Sequence, residues 1–354
     1  MRLGRASRFD SGDLFMDNEQ LVVPHKKLLM LSQNILVKAG VPDADAKIVA
    51  EILVHANLRG VDSHGVLRLP HYIKRIKAGS INASPDIKIE DTGPSTAMVD
   101  GDDGLGHLVA RVAMEKAITL ARQKGVGMVG AINSSHCGAL SYYVQQAARA
   151  SLIGLAMVNT DKAVAPYGGR EAFFGTNPIA FGFPTANGEP VIIDMATSSI
   201  AYGQVINAAK KNNCLPDNCA LDAQGNPTTN PHDYHVLLPF GAYKGYALAM
   251  VVDIFAGILT GSPFGPEVPK MYGNYEKKRK LGHYFTAIDM SRFTDREQFL
   301  ANMDILIKAI GEVPPSKGFE RVMVPGEPEA TTEKTRRRQG IPILPEDYNY
   351  LTSG

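Results

Sequence analysis

An apolar helix followed directly by a buried strand occurs twice in succession near the middle of this 354-residue sequence. In the first unit Ala110, Ala113, Met114, Ala117, Ile118 and Ala121 recur at helical spacing, Gly125 closes the helix, and residues 126–132 form an apolar run. In the second, residues 139–150 repeat the helix and 152–158 the strand. Strands that read as continuous apolar runs need cover on both faces, so the doubled unit demands an α/β layer with neighbouring parallel strands. Two further apolar runs, 179–184 and 191–195, flank Asn187-Gly188 and predict a hairpin.

The flanks read differently. Residues 26–38, 44–58 and 66–77 carry apolar positions at helical spacing, and Gly40 and Gly60 end the first two. Residues 246–259 predict a buried helix, too short to span a bilayer and interrupted by Asp253. The end of the chain, with Pro314, Pro315, Pro325, Pro328, Pro342 and Pro345, predicts a loop-rich segment that wraps back over the helical start. The expected fold class is α/β (α+β). A mixed-sheet domain spans 93–299, and a mainly helical domain is built from both chain ends, 21–92 with 300–354. Residues 1–20 are polar and charged without an apolar core for a signal peptide, which predicts a disordered extension.

Composition narrows the function classes. Hydrophobic residues make up 44% and charged residues 21% of the chain, which excludes a disordered or fibrous protein. The formal net charge of +1 supplies no field for nucleic acid or an acidic membrane, so neither is an expected partner. The basic runs Glu276-Lys-Lys-Arg-Lys280 and Lys334-Thr-Arg-Arg-Arg338 lack interleaved aromatics and read as solvated surface. Cys137, Cys214 and Cys219 are odd in number and lack zinc-ligand spacing, a pattern that fits a reducing, cytoplasmic setting.

Gly125-Val-Gly-Met-Val-Gly130 matches the G-x-G-x-x-G string of dinucleotide-binding loops. That loop works only where a strand precedes the glycines and a helix follows, so that a pyrophosphate meets the helix N-terminus. Here a helix precedes and a strand follows. The glycines therefore read as a helix C-cap and a strand of small residues, not as a phosphate cradle.

Ligands in α/β layers collect beyond the carboxyl ends of strands. Asn133-Ser-Ser-His136-Cys-Gly138 follows the first strand, and Asn159-Thr160-Asp161-Lys162 follows the second. Adjacent parallel strands would bring His136 within reach of Asp161, and a His oriented by a carboxylate suits proton transfer near neutral pH. A capping or surface His explains the same residues equally well. Ser63-His64-Gly65 leads into a helix on which Arg68 and Tyr72 share a face, and Arg is suited to a carboxylate. A solvated helix face is the simpler reading of that segment alone. Lys244 and Gly245 at a helix start could hold a phosphate, and Asp194-Met195-Ala196 at a strand end could hold a ribose or cap the next segment. Cys137 beside His136 suggests a thiol nucleophile, but no oxyanion motif accompanies it. His64, His136 and Asp194 could be imagined around zinc, but no metal motif supports them, and no metal is expected.

Taken in order, Ser63-His64-Gly65-Val-x-Arg68-x-Pro-x-Tyr72, His136-x-Gly138-Ala, Gly175-Thr-Asn-Pro178, Asp194-Met195-Ala196 and Lys244-Gly245-Tyr246 resemble the malate/L-lactate dehydrogenase family that lacks a Rossmann fold. The resemblance runs from about residue 21 to 350. It implies a non-Rossmann nicotinamide-binding domain, a helical domain made by both chain ends, and a homodimer with active sites near the interface. It implies His136 as acid/base and NAD contacts at Thr160, Asp194, Met195, Ala196, Lys244, Gly245, Gly326, Glu327 and Pro328. NADP is not excluded. The residues that follow His136 are most similar to members that oxidise (S)-ureidoglycolate to oxalurate. The motifs shared with malate, lactate and other 2-oxo acid reductases fit those small carboxylates too. In the expected reaction Arg68, with Ser63, His64 and Tyr72, holds the substrate carboxylate while His136, oriented by Asp161, takes the C2 hydroxyl proton. A ligand-binding protein without catalysis and a Cys137 hydrolase are the rival classes.

Overall fold

A computed structural model describes residues 20–353. The extension expected over residues 1–20 therefore falls outside the described residues, Gln20 excepted. The chain opens with β1 (Leu21–Val23), α1 (His25–Lys38) and α2 (Asp43–Leu58). Two 3-10 turns, Asp62–His64 and Val66–Arg68, lead into α3 (Leu69–Lys77). The middle of the chain carries β2 (Lys88–Gly93), β3 (Thr96–Asp100), α4 (Gly106–Lys124), β4 (Val126–Ser134), α5 (Ser141–Arg149) and β5 (Ile153–Val158). It continues with β6 (Ile179–Phe183), β7 (Val191–Met195), α6 (Tyr202–Lys211), β8 (Ala220–Leu221), β9 (Val236–Leu237) and α7 (Tyr243–Asp253). The last part holds β10 (Leu281–Ile288), α8 (Arg296–Gly311), α9 (Glu327–Gln339), β11 (Ile341–Ile343) and α10 (Pro345–Ser353).

Seven strands form one mixed sheet in the order β2-β3-β4-β10-β5-β6-β7. Strands β3 and β4 are parallel and joined by α4, while β6 and β7 form the hairpin expected across Asn187-Gly188. Helices α4 and α5 cover the sheet with small and branched residues: Ala110, Ala113, Ala117, Val144 and Ala147 are fully buried in one core with Val129, Ala131 and Phe285. Gly127 shows why β4 carries glycine, since a Cβ there would lie 2.1 Å from the Ala117 carbonyl oxygen. The helix backbone presses onto the strand, and any side chain would separate the layers.

A second core joins the two chain ends. Val23 of β1, Leu28 and Leu36 of α1, Val49 and Leu53 of α2, Leu69 and Tyr72 of α3, Ile341 and Ile343 of β11 and Leu351 of α10 are packed together. Strand β11 pairs antiparallel with β1, Leu21 opposite Ile343. The end of the chain thus packs on the helical start through the helices α9 and α10 and strand β11 rather than through loops. Its prolines sit where helices accept them: Pro328 lies in the first turn of α9 and Pro345 begins α10.

Three expectations are corrected. The strands of the doubled unit are not neighbours, because β10 lies between them, antiparallel to both. They still point the same way, but two strand spacings, about 10 Å, separate them instead of one. The helix expected over 246–259 begins at Tyr243, passes into a π-helical turn at Ile254–Ile258, and leaves Met250, Ile254, Ile258 and Leu259 exposed. The two basic runs are not merely solvated surface. Arg279 is buried against Asp161, Lys278 and Lys280 both bind Asp103, and Arg336 and Arg337 pair with Asp62 and Glu333.

Candidate active site

A cleft of about 1200 Å³ is lined by the loop after α2, the ends of β4, β5 and β7, the segment preceding β10 and the segment leading into α9. The glycine string at 125–130 lies away from it. Gly125 is the left-handed C-cap of α4 and β4 starts at the next residue, so the string is a cap and a strand, as its context indicates.

His136 stands in the turn between β4 and α5, and that turn rests on the start of α4. Gly106 N–H donates to Ser135 Oγ at 2.8 Å, and Ser135 Oγ donates to Gly104 O at 2.9 Å. A Cβ on Gly106 would come within 2.1 Å of the Ser135 carbonyl oxygen, so the contact needs glycine. The imidazole lies 5.6 Å from the ring of His64, nearly stacked, and its Nδ1 is 2.7 Å from Tyr72 Oη. The Gly138 N–H also donates to Nδ1 at 3.3 Å, which leaves Nε2 without a hydrogen bond among the described residues, and the residue lines the cleft. Burial is the largest cause holding the His136 pKa well below 6.5, and the Arg68 and Arg279 charges lower it further. The ring is therefore neutral at neutral pH and able to accept a proton.

The structure separates Arg68 from Tyr72. Arg68 ends a 3-10 turn and lines the cleft, its Nε donating to Ser63 O at 2.6 Å and its Nη1 to Tyr272 Oη. Tyr72 is fully buried in α3 and does not line the cleft. It backs His136 rather than meeting a ligand. Ser63 and His64 do line the cleft, with Ser63 Oγ 2.9 Å from His64 Nδ1. Burial and the Arg68 charge push His64 down to about 4. This loop is held from both chain ends: Asn57 Oδ1 accepts from Val66 N–H at 2.9 Å, and Arg336 of α9 forks onto Asp62 at 2.7 and 3.0 Å.

Asp161 does not orient His136. Its Oδ1 accepts from Arg279 Nη2 at 2.6 Å and its Oδ2 from Met271 N–H at 3.1 Å. The segment leading into the inserted β10 supplies both partners. Reading the run at 276–280 as surface hid Arg279, and the apolar, β-branched and aromatic stretch at 281–288 was the available signal for the missing strand.

Thr160, Asp194, Met195, Ala196, Gly326 and Pro328 line the cleft. Thr160 Oγ1 accepts from Thr176 N–H at 2.9 Å, and Asn177 Oδ1 from Thr160 N–H at 3.1 Å, which explains the Gly175-Thr-Asn-Pro178 motif as the lock on the loop after β5. Asp194 Oδ2 accepts from Ser141 N–H, the first residue of α5, at 2.7 Å, while desolvation pushes its carboxyl up to about 6. Three expected contacts are not brought to the cleft. Glu327 turns to Val324 N–H and Arg321. Lys244 is exposed at the start of α7, and Gly245 is packed against Phe240 and Thr197, behind Ala196.

Cys137 is buried, and burial followed by the Asp194 charge raises its thiol, so it stays protonated and unfit as a nucleophile. Among the described residues no group of three or more His, Cys, Asp or Glu could hold a metal ion, and no helix is long and apolar enough to cross a membrane.

Residues 23–352 match the family described as malate/L-lactate dehydrogenase. The chain is 39% identical over 331 residues to the NAD(+) ureidoglycolate dehydrogenase of Escherichia coli O157:H7, covering 94% of this chain and 95% of that protein. It is 42% identical over 328 residues to the L-sulfolactate dehydrogenase of Methanocaldococcus jannaschii, covering 92% and 93%. Its fold superposes on the malate dehydrogenase of Pyrococcus horikoshii OT3 with a TM-score of 0.88 at 36% identity, covering 96% of each chain. Fold and site together define a dehydrogenase acting on 2-hydroxy acids. The chain belongs to the malate/L-lactate dehydrogenase family.

Proposed function

We propose that this dehydrogenase uses NAD to oxidise (S)-ureidoglycolate to oxalurate, with His136 as acid/base. The observation that carries the reading is the placing of His136, its Nδ1 against Tyr72 Oη and the Gly138 N–H, in the same cleft as the Arg68 guanidinium. Arg68 binds the substrate carboxylate, with Ser63 and His64 beside it. In the tautomer with the proton on Nδ1, donated to Tyr72 Oη at 2.7 Å in place of the longer 3.3 Å contact from Gly138 N–H, the Nε2 lone pair takes the C2 hydroxyl proton. Arg68 and His136 hold C2 between them, and alignment of this kind is the protein's main contribution to such a step.

The cleft fits a nicotinamide dinucleotide. It exceeds the roughly 300–1,000 Å³ of a typical small-ligand pocket. Ile192, Ile193 and Met195 form an apolar wall, Arg59 and Arg321, paired with Glu333 and Glu327, add guanidinium groups, and Asp194 and Thr160 offer oxygen acceptors. When bound, the nicotinamide accepts the hydride that leaves C2. In this reading residues 93–299 supply His136 and most of the nucleotide wall, and residues 21–92 with 300–354 supply the carboxylate grip.

The choice of ureidoglycolate is supported by the 39% identity to the ureidoglycolate dehydrogenase and by the residues that follow His136. A second reading, reduction of a sulfonated or dicarboxylic 2-oxo acid, is supported by the 42% identity to the L-sulfolactate dehydrogenase. Following nicotinamide absorbance with ureidoglycolate, malate, lactate and sulfolactate, each with NAD and NADP, decides between them. The highest kcat/KM with ureidoglycolate and NAD is the expected result; a higher value with sulfolactate or malate would overturn the substrate.

The active form is a homodimer in this proposal. Tyr243, Ile258 and Leu259 are 60%, 53% and 62% exposed, and α8 buries none of its 16 residues although Ile305 and Leu306 are apolar. Apolar surface of that extent marks an interface. Light scattering should return twice the chain mass. Three free cysteines are in keeping with a cytoplasmic setting.

A further inference from the structure

We propose that Arg279 reads the substituent that the substrate carries beyond C2, and that Asp161 tunes it to prefer an uncharged carbonyl over a second anion. This rests on the assignment of His136 and Arg68 made above.

Arg279 is 3% exposed and yet lines the cleft. Its Nε donates to Pro269 O at 3.1 Å and its Nη2 to Asp161 Oδ1 at 2.6 Å, while Nη1 donates to nothing among the described residues. Nη1 is thus a guanidinium nitrogen left to meet an acceptor on a ligand in the cleft. The tetrahedral geometry of C2 points to the same group. The hydroxyl faces His136, the carboxylate faces Arg68 and the hydrogen must face the nicotinamide. The fourth substituent is then free to reach Arg279, the buried guanidinium of the cleft whose Nη1 meets no acceptor among the described residues.

Asp161 decides what that substituent can be. Its carboxylate is bound to Arg279 and to Met271 N–H, so the guanidinium is neutralised before any ligand arrives. A ureido or amide carbonyl can accept from Nη1 without changing the charge balance. A carboxylate or sulfonate would be brought close to Asp161, where repulsion and desolvation both oppose it. Lys162 and Lys270 also line the cleft, but both are exposed and their charges are screened by water. Arg68 differs from Arg279 in that no carboxylate among the described residues is paired with it, which suits it to the substrate's own carboxylate.

The test compares malate with its 4-amide, malamate, which match in shape and differ in one charge. Values of kcat/KM are measured for the full-length enzyme, for Asp161→Asn and for the double variant Asp161→Leu with Arg279→Met. The wild type should favour malamate. Asp161→Asn, which frees the Arg279 charge, should shift the ratio toward malate by about tenfold or more. The double variant should lose most of the preference and raise KM for both, with the pH profile of kcat unmoved. A ratio within about twofold of wild type in either variant overturns the proposal, as does a wild-type preference for malate. If Asp161→Asn fails to fold, the double variant, which removes both charges of the pair together, still gives the decisive ratio. If ureidoglycolate is not oxidised while the malate to malamate ratio shifts as stated, the natural substrate is wrong and the role of the pair stands. If ureidoglycolate is oxidised and the ratio is immobile, the pair is structural only.

Discussion

Tyr72 Oη and His136 Nδ1 lie 2.7 Å apart, across 64 residues of sequence. One residue belongs to the helical core and the other to a loop at the sheet edge, so this hydrogen bond ties the two parts together at the reacting group. Burial raises the Tyr72 pKa, which keeps its hydroxyl protonated throughout the working pH range. The pair can therefore hold the imidazole ring in one orientation whether His136 is neutral or charged.

Tyr72→Phe preserves the packing of α3 and removes that bond. A neutral hydrogen bond contributes about 1 kcal/mol, and the geometric loss adds to it. The expected result is a fall in kcat of about tenfold with KM nearly unchanged. Steady-state kinetics check this, and an unchanged kcat would show that the ring is positioned by other contacts.

His136→Ala should lower kcat by about two to four orders of magnitude. Binding of NADH, followed by its fluorescence, should stay within about threefold of wild type, since His136 contributes only part of a large cleft. Turnover near the wild-type rate would remove His136 from the reaction.

Gly106→Ala tests the support under the loop. The added methyl would collide with the Ser135 carbonyl oxygen, 2.1 Å away, and with the backbone of His136 at 2.7 Å. Overpacking of this kind costs about 1–3 kcal/mol. Both the melting temperature and kcat should fall, because the shift moves the carrier of the catalytic ring. A variant that melts lower but turns over normally would place the strain elsewhere.

Stability should fall on the acid side in a way set by buried histidines. Burial is the largest cause holding His55, His71, His107 and His283 down at about 3, and His64 at about 4. In the unfolded chain each returns to about 6.5. Below that pH the unfolded state takes up protons that the folded state refuses. The stabilisation is therefore complete above about pH 6.5 and is lost as pH falls toward the folded values, by at most about 1.4 kcal/mol per pH unit for each group. Asp194, raised to about 6, opposes this from there down to its ordinary carboxylate range. Urea unfolding at about pH 7, 6 and 5 should give steadily smaller free energies. Equal values at all three would mean that these rings are charged in the folded state.

Much of the site was legible in the chain. The apolar periodicity of residues 110–121 and 126–132 specifies a helix and a strand because only those repeats bury one face. The order of that helix and strand around Gly125 excluded the phosphate loop that its glycines imitate. The polar residues after each strand, His136 and Thr160 among them, reached the cleft because strands sharing a direction end on one edge of a sheet.

What local pattern could not express was pairing at long range. Insertion of β10 between β4 and β5 turned Asp161 from a partner of His136 into a partner of Arg279, a residue 118 positions away. Tyr72 shared a helical face with Arg68 by spacing, but tertiary packing buried it and aimed its hydroxyl at His136. Periodicity depends on neighbours a few residues apart and is written into the sequence. The partner of a buried charge or hydroxyl is chosen by which distant element closes over it, and only the folded chain brings that element into place.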